Sequence, residues 1–322
     1  MKSRYLLAAC VAGLLTLPVW AQDAYPNKPI KIIVPYPPGG SADILARDIG
    51  QRLSAAWSQP VVIENRGGAA GMTGTQAAAR SPADGYTLML TASGPQAIAP
   101  SLYPKPGYDP IKDFAPVVLT SRYPLLMVAP ANAPYSDTKQ FIEWATRNKG
   151  KVNYCSIGPG SPSNLAGELF KSMAGIEMTH IPYKGSAQAL TDLIGGVCNL
   201  MFDSVATSGP QVKGGKIKAL AISTPERAAS WPSVPTVSES GVPGFSAITW
   251  AALFAPASTP EPIVQKLNAE VGRILASPEV RGRLDAQGGL VGGGTPAELR
   301  SFNEAEIRKW AKIIKDNGIT AE

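Results

Sequence analysis

Few side chains in this sequence have types and spacing suited to covalent chemistry. There is one histidine, His180, set in an apolar strand-like run, and a satisfied imidazole is expected there rather than a general base. No Gly-x-Ser-x-Gly nucleophile elbow occurs, and no His/Cys cluster has zinc spacing. What stands out is backbone chemistry. In Lys31-Ile-Ile-Val-Pro-Tyr-Pro-Pro-Gly-Gly-Ser-Ala-Asp-Ile-Leu-Ala-Arg47, a β-branched strand runs into prolines that cannot extend a ladder. Gly39 and Gly40 admit close approach to the main chain, and Ser41 suits an N-cap. A helix follows, with Ala42, Leu45, Ala46, Ile49 and Leu53 on one face, so its first amides are unpaired. Free amides and the helix dipole attract a carboxylate or phosphate. The segment reads either as a tight strand-to-helix turn or as an anion site including Tyr36, Pro38, Gly39, Gly40 and Ser41.

A second segment repeats the pattern. Val152-Asn-Tyr-Cys-Ser-Ile-Gly-Pro-Gly-Ser-Pro-Ser-Asn-Leu-Ala-Gly167 is strand, Gly/Pro/Ser loop and helix, with Ser161 or Ser163 as cap. Its Gly158-x-Gly160-x-x-Ser163 lacks the third glycine of a dinucleotide fingerprint and has a proline at 162. A shorter loop, Thr91-Ala-Ser-Gly-Pro95, offers hydroxyl and amide contacts at Ser93 and Gly94. Two carboxylates and a phenol complete the candidates. Asp43 lies in a first helical turn, where bracing or capping the loop is favoured over facing an anion. Asp203 ends the strand Leu200-Met-Phe-Asp, at the sheet edge where α/β ligands bind, and either orders waters, receives a ligand ammonium or bonds its own loop. Tyr183 is a cleft wall or a packing residue.

Strand-like runs at 61–63, 86–91, 125–129, 152–156, 178–183, 200–203, 217–222 and 250–255 alternate with amphipathic runs, which predicts parallel α/β sheets. At 322 residues, 44% hydrophobic and 17% charged, the chain has room for two such units with their own cores. Lys2 and Arg4 precede an apolar run from Leu6 to Trp20, and Val19-Trp20-Ala21 predicts a signal peptide, 1–21, cleaved after Ala21. The expected location is the periplasm. Without it the charge falls from +6 to +4, and no basic cluster interleaved with aromatics appears, so no nucleic-acid partner is expected. Two cysteines remain, Cys155 and Cys198. Expected at opposite ends of neighbouring strands, they read as buried thiols rather than a disulfide.

The chain resembles the tripartite tricarboxylate transporter receptor (Bug) family over essentially its whole mature length. The resemblance rests on Tyr25-Pro-x-x-Pro-Ile-Lys-Ile-Ile-Val-Pro-Tyr-x-Pro-Gly-Gly-Ser-x-Asp43, Val62-Ile-Glu-Asn-Arg-x-Gly68, Ser81-Pro-Ala-Asp-Gly-Tyr-Thr-Leu88 and Tyr108-Asp-Pro-x-Lys-Asp-Phe-Ala-Pro-Val117. It continues in Leu165-Ala-Gly-Glu-Leu-Phe170, His180-Ile-Pro-Tyr-Lys-Gly185, Leu200-Met-Phe-Asp203 and Val234-Pro-Thr236. It implies a two-lobe periplasmic binding protein of the type II Venus-flytrap kind, each lobe a mainly parallel sheet flanked by helices. Lobe 1 would span 22–122 and 248–322 and lobe 2 would span 123–247, with crossings near Thr120–Pro124 and Phe245–Trp250. A small organic carboxylate (a dicarboxylate, amino acid or aromatic acid) would be gripped by main-chain amides, partly through waters. Tyr36 to Ser41 would meet it from lobe 1 and Ser156 to Asn164, with Gly158, Gly160, Ser161 and Ser163, from lobe 2. Tyr36 stands where Phe is common in the family, and Asn164 where Thr or His is frequent. The implied protein is a cofactor-free monomer serving membrane permease subunits. A sensor acting through a partner protein, and then a carboxylate-processing enzyme, are the alternative readings.

Overall fold

A computed structural model describes residues 25–183, 185–286 and 288–320. The predicted leader lies outside them. In chain order the elements are β1 (Ile30–Val34), α1 (Ser41–Trp57), β2 (Val61–Asn65), α2 (Met72–Ala79), β3 (Thr87–Ala92), α3 (Ala99–Leu102) and β4 (Phe114–Pro130). Then come α4 (Thr138–Arg147), β5 (Asn153–Ser156), α5 (Pro162–Ala174), β6 (Thr179–Pro182), α6 (Ser186–Ile194), β7 (Leu200–Ser204), α7 (Val205–Lys213) and β8 (Ile217–Ile222). The chain closes with β9 (Ile248–Pro256), α8 (Glu261–Leu275), α9 (Pro278–Ala286), β10 (Leu290–Gly293) and α10 (Pro296–Asp316).

The strands form two half-sheets joined along β4. In the first, β2, β1 and β3 are parallel, and β9 joins β3 to β4 in antiparallel pairing, with β10 on the other side of β4. In the second, β6, β5 and β7 are parallel, and β7 and β8 flank the C-terminal part of β4. Strands covered by helices on both faces are apolar at nearly every position, and β1, Ile-Lys-Ile-Ile-Val, shows no alternation, its one polar residue, Lys31, being half-buried and paired with Glu64. Leu45, Ala46, Ile49 and Leu53 of α1 pack on this strand and on Leu88 and Leu90 of β3 in one cluster. A separate cluster beneath β5 and β7 holds Leu126, Val128, Leu190, Leu193 and Met201.

Three expectations need correcting here. Cys155 and Cys198 form a disulfide, with Cα atoms 5.8 Å apart. β7 begins only at Leu200, and turns at Gly195–Gly196 fold Cys198 back into the apolar cluster that contains Cys155. Ser41 is not the N-cap of α1 either. Gly40 takes that place at φ −77°, ψ 167° and supplies no side-chain cap, so Ser41 is the first helical residue. The strand expected at 125–129 is also longer, because β4 extends back to Phe114.

Candidate functional site

The two Gly-rich loops end their strands and start α1 and α5, and each is tied down from its helix's third residue. In loop 1 the Gly39 amide donates to Asp43 Oδ2 at 2.9 Å. The buried Asp43 also accepts from Arg47 Nε at 3.0 Å and Asn65 Nδ2 at 2.9 Å, and Asn65 Nδ2 also donates to the Tyr36 carbonyl at 3.2 Å. Burial pushes the Asp43 carboxyl upward, but these donors and the Arg47 charge hold it below its ordinary value. In loop 2 the Gly160 amide donates to Asn164 Oδ1 at 2.9 Å, and Asn164 Nδ2 donates to the Tyr154 hydroxyl at 2.7 Å. Tyr154 in turn donates to Glu168.

Beyond this shared brace the loops diverge. At α1 the first helical bond runs from the Ile44 amide to the Gly40 carbonyl. Among the described residues, the amides of Gly40, Ser41, Ala42 and Asp43 have no hydrogen-bond partner. At α5, Ser161 caps the Asn164 amide, residue 162 is a proline with no N–H, and the Ser161 amide bonds the Gly158 carbonyl. The Gly158 amide donates to Ser156 Oγ at 3.0 Å, and His180 Nε2 lies 2.6 Å from the same oxygen, with its ring stacked on Tyr154. His180 is thus a satisfied, partly buried imidazole. Burial lowers its pKa, with Glu168 raising it and Lys171 lowering it further.

Between the loops lies a cavity of about 460 Å³. Ser41 and Ile44 of α1 form one wall, Tyr123, Pro124, Leu125 and Thr249 its floor, and residues of the second half-sheet the opposite wall. That opposite wall includes Ile157, Ser163, Ser186 and Asp203. Four helices, α1, α5, α6 and α7, begin at its edge, so their positive ends converge. Asp203 is buried and accepts from the hydroxyls of Ser186 and Thr207. Burial raises its pKa, while those hydroxyls and the Ser204 amide pull the other way.

Of the candidates read from sequence, Ser41, Ser163 and Asp203 therefore meet at one cavity. Pro38, Gly39 and Gly40 lie exposed in the loop leading to Ser41, and a Cβ on Gly40 would meet nothing within 4 Å. Tyr36 packs with the first cluster, its hydroxyl 3.9 Å from where a Gly94 Cβ would sit, and Ser93 is buried beside it in the chain. Burial raises the Tyr36 hydroxyl, with Thr91 and the Ala92 backbone opposing. Ser156, Gly158, Gly160, Ser161 and Asn164 form the frame behind the second wall. The Tyr183 hydroxyl donates to Asp192 at 2.6 Å. Gly160 abuts Leu102 of α3, which belongs to the first half of the molecule. Sequence reading missed Ile44, Tyr123, Ser186 and Thr249, and gave Ile157 only as part of the Ser156 to Asn164 run. Ile44 and Ile157 had a usable signal: each is an exposed apolar side chain beside a Gly-rich loop, and Ile44 falls off the buried stripe of its helix. Tyr123 and Thr249, a cross-strand pair, had none, because only the pairing of β4 with β9 brings them together.

Two half-sheets sharing a strand, with helix N-termini gathered round one crevice, define a two-lobed α/β periplasmic solute-binding protein. The model of the tripartite tricarboxylate transporter family receptor matches residues 45–319, and the chain belongs to that receptor family, whose members bind solutes rather than transform them. BugT of Bordetella pertussis is 37% identical over 297 residues, 92% of this chain and 91% of its own. Among solved structures, an R. palustris protein with adipate superposes with TM-score 0.74 at 37% identity, covering 92% of this chain and 99% of that one. MatC from Rhodopseudomonas palustris with bound malate gives 0.71 at 35% identity, covering 90% and 100%.

Proposed function

We propose that this receptor captures a small organic carboxylate in the cavity and presents it to the membrane subunits of a tripartite transporter. The observation that carries the reading is the uncapped N-terminus of α1: among the described residues its first amides have no partner, and its first residue, Ser41, lines a cavity walled by both halves of the molecule. A carboxylate there satisfies those amides and the helix dipole together. The adipate and malate of the two similar structures supply the same chemistry. A few charge-assisted hydrogen bonds at about 1.5–3 kcal/mol each, less ordering costs, amount to about 8 kcal/mol and a micromolar Kd.

The lobes divide between residues 122 and 123 and between 247 and 248. They rotate about the crossings near Thr120–Pro124 and Phe245–Trp250, closing over the ligand and expelling water. The protein is exported, with cleavage after Ala21, and works as a monomer without a cofactor. A thermal-shift screen of carboxylates tests the reading, because a ligand bound only by the folded state raises Tm. Gly40→Val is expected to keep the fold and abolish the shift. Unchanged affinity in that variant, measured by calorimetry, rules out the backbone grip.

A further inference from the structure

The cavity treats its two ends differently. At the α1 end the amides of Gly40 to Asp43 have no partner among the described residues. At the other end the helix starts already face a carboxylate of the protein: Asp203 Oδ1 accepts from Ser186, the first residue of α6, at 2.7 Å. Asp203 Oδ2 accepts from Thr207 in the first turn of α7. Asp203 is 2% exposed and lines the cavity; with Ser186, Thr207 and the Ser204 amide on it, its two oxygens together keep one acceptor position for a further donor. The walls between the two ends are largely apolar, with Ile44 from one side and Ile157 from the other.

We propose that the ligand carries one carboxylate, held at α1, an apolar body between Ile44 and Ile157, and at its far end a hydrogen-bond donor, an ammonium or hydroxyl, received by Asp203. This rests on the carboxylate reading above and narrows it. A second carboxylate at the Asp203 end places two like charges together in a desolvated site, where each opposes the other's ionisation. An ammonium there gains a charge-assisted bond.

Three probes of one chain length separate the cases: adipate, hexanoate and 6-aminohexanoate, titrated calorimetrically into the full mature protein at neutral pH. The expected order is 6-aminohexanoate tightest, then hexanoate, then adipate, with at least tenfold between first and last. Asp203→Asn, checked for folding by circular dichroism, is expected to shrink that span severalfold by weakening 6-aminohexanoate and strengthening adipate. Adipate binding as tightly as hexanoate, or tighter, overturns the proposal from the wild-type protein alone, while leaving the carboxylate reading standing. An unchanged span in a folded Asp203→Asn variant also overturns it. Failure of all three probes and of malate to bind overturns both readings.

Discussion

Loop 1 and loop 2 start from the same plan, and the difference between them shows where binding chemistry is kept and where it is used up in structure. Both follow a strand, both precede a helix, and both use the third helical residue to hold the amide of the glycine before the cap, Asp43 for Gly39 and Asn164 for Gly160. Loop 1 leaves the cap position to Gly40 and keeps Ser41 as an N–H donor. Loop 2 fills the cap with Ser161, puts Pro162 where a donor would stand, and is anchored by a disulfide on the residue before Ser156. In the proposed reading, one loop is the site, braced by a charged carboxylate, and the other is a wall held by hydrogen bonds and a covalent link.

The largest expected effect is on the anchor of the wall. Opening the disulfide with Cys155→Ser and Cys198→Ser releases a segment of 43 residues' separation and is expected to cost about 4 kcal/mol, read as a drop in the denaturant midpoint. An equal midpoint in the double variant would mean that loop 2 is held by its hydrogen bonds alone. On the other side of the comparison, Asp43→Asn weakens the brace of loop 1 by about 2 kcal/mol at neutral pH, the scale of a hydrogen bond to a charged group. The folded carboxyl lies below its ordinary value near 3.9, so the unfolded chain takes up the proton first as pH falls. Its stabilisation is therefore present above about pH 4 and lost as pH drops through the folded value. Urea titrations of wild type and Asp43→Asn at several pH values should converge in acid, and a constant gap breaks the assignment.

Ser41→Pro turns loop 1 into loop 2 at a single atom. Proline is well tolerated at the first helical position, and Gly40 before it is already extended, so the fold stays and one amide is lost. Ligand affinity is expected to fall by ten- to a hundredfold in calorimetry, while Pro162→Ala in loop 2 leaves it within twofold. Equal effects at both positions would show that the loops share the grip. The smallest change is Ser161→Ala, which removes a cap and lowers stability by about 1 kcal/mol without altering affinity.

Much of this frame was legible before any coordinates, because a short β-branched run, a Gly-rich loop and a helical stripe are local signals. β1 to α1 and β5 to α5 follow the reading closely. Apart from the α1 cap, which falls on Gly40 rather than Ser41, the misses are non-local. The first part of β4 was hidden because Pro116, Ser121, Arg122 and Pro124 interrupt any apolar pattern, and its pairing depends on β9 and β10, far along the chain. β10, Leu-Val-Gly-Gly, carries no strand pattern of its own, yet Gly292 is required there because a Cβ would sit 2.2 Å from the Leu119 carbonyl oxygen. The disulfide depended on how a turn folds back, which spacing does not encode. At the site, Ser41, Ser163 and Asp203 were readable from their loops and strand end, whereas the Tyr123 and Thr249 floor exists only once two distant strands lie side by side.

β4 runs for 17 residues through both half-sheets without a break, slipping register near Val118, near Leu119 to Ser121 and near Val128. A molecule built on such a member has a torsion bar where others have a loose joint. In the proposed closure, turning one half against the other would twist a hydrogen-bonded ribbon, so resistance would grow with angle, and the travel between open and shut would be set by the stiffness of that ribbon rather than by the length of a linker.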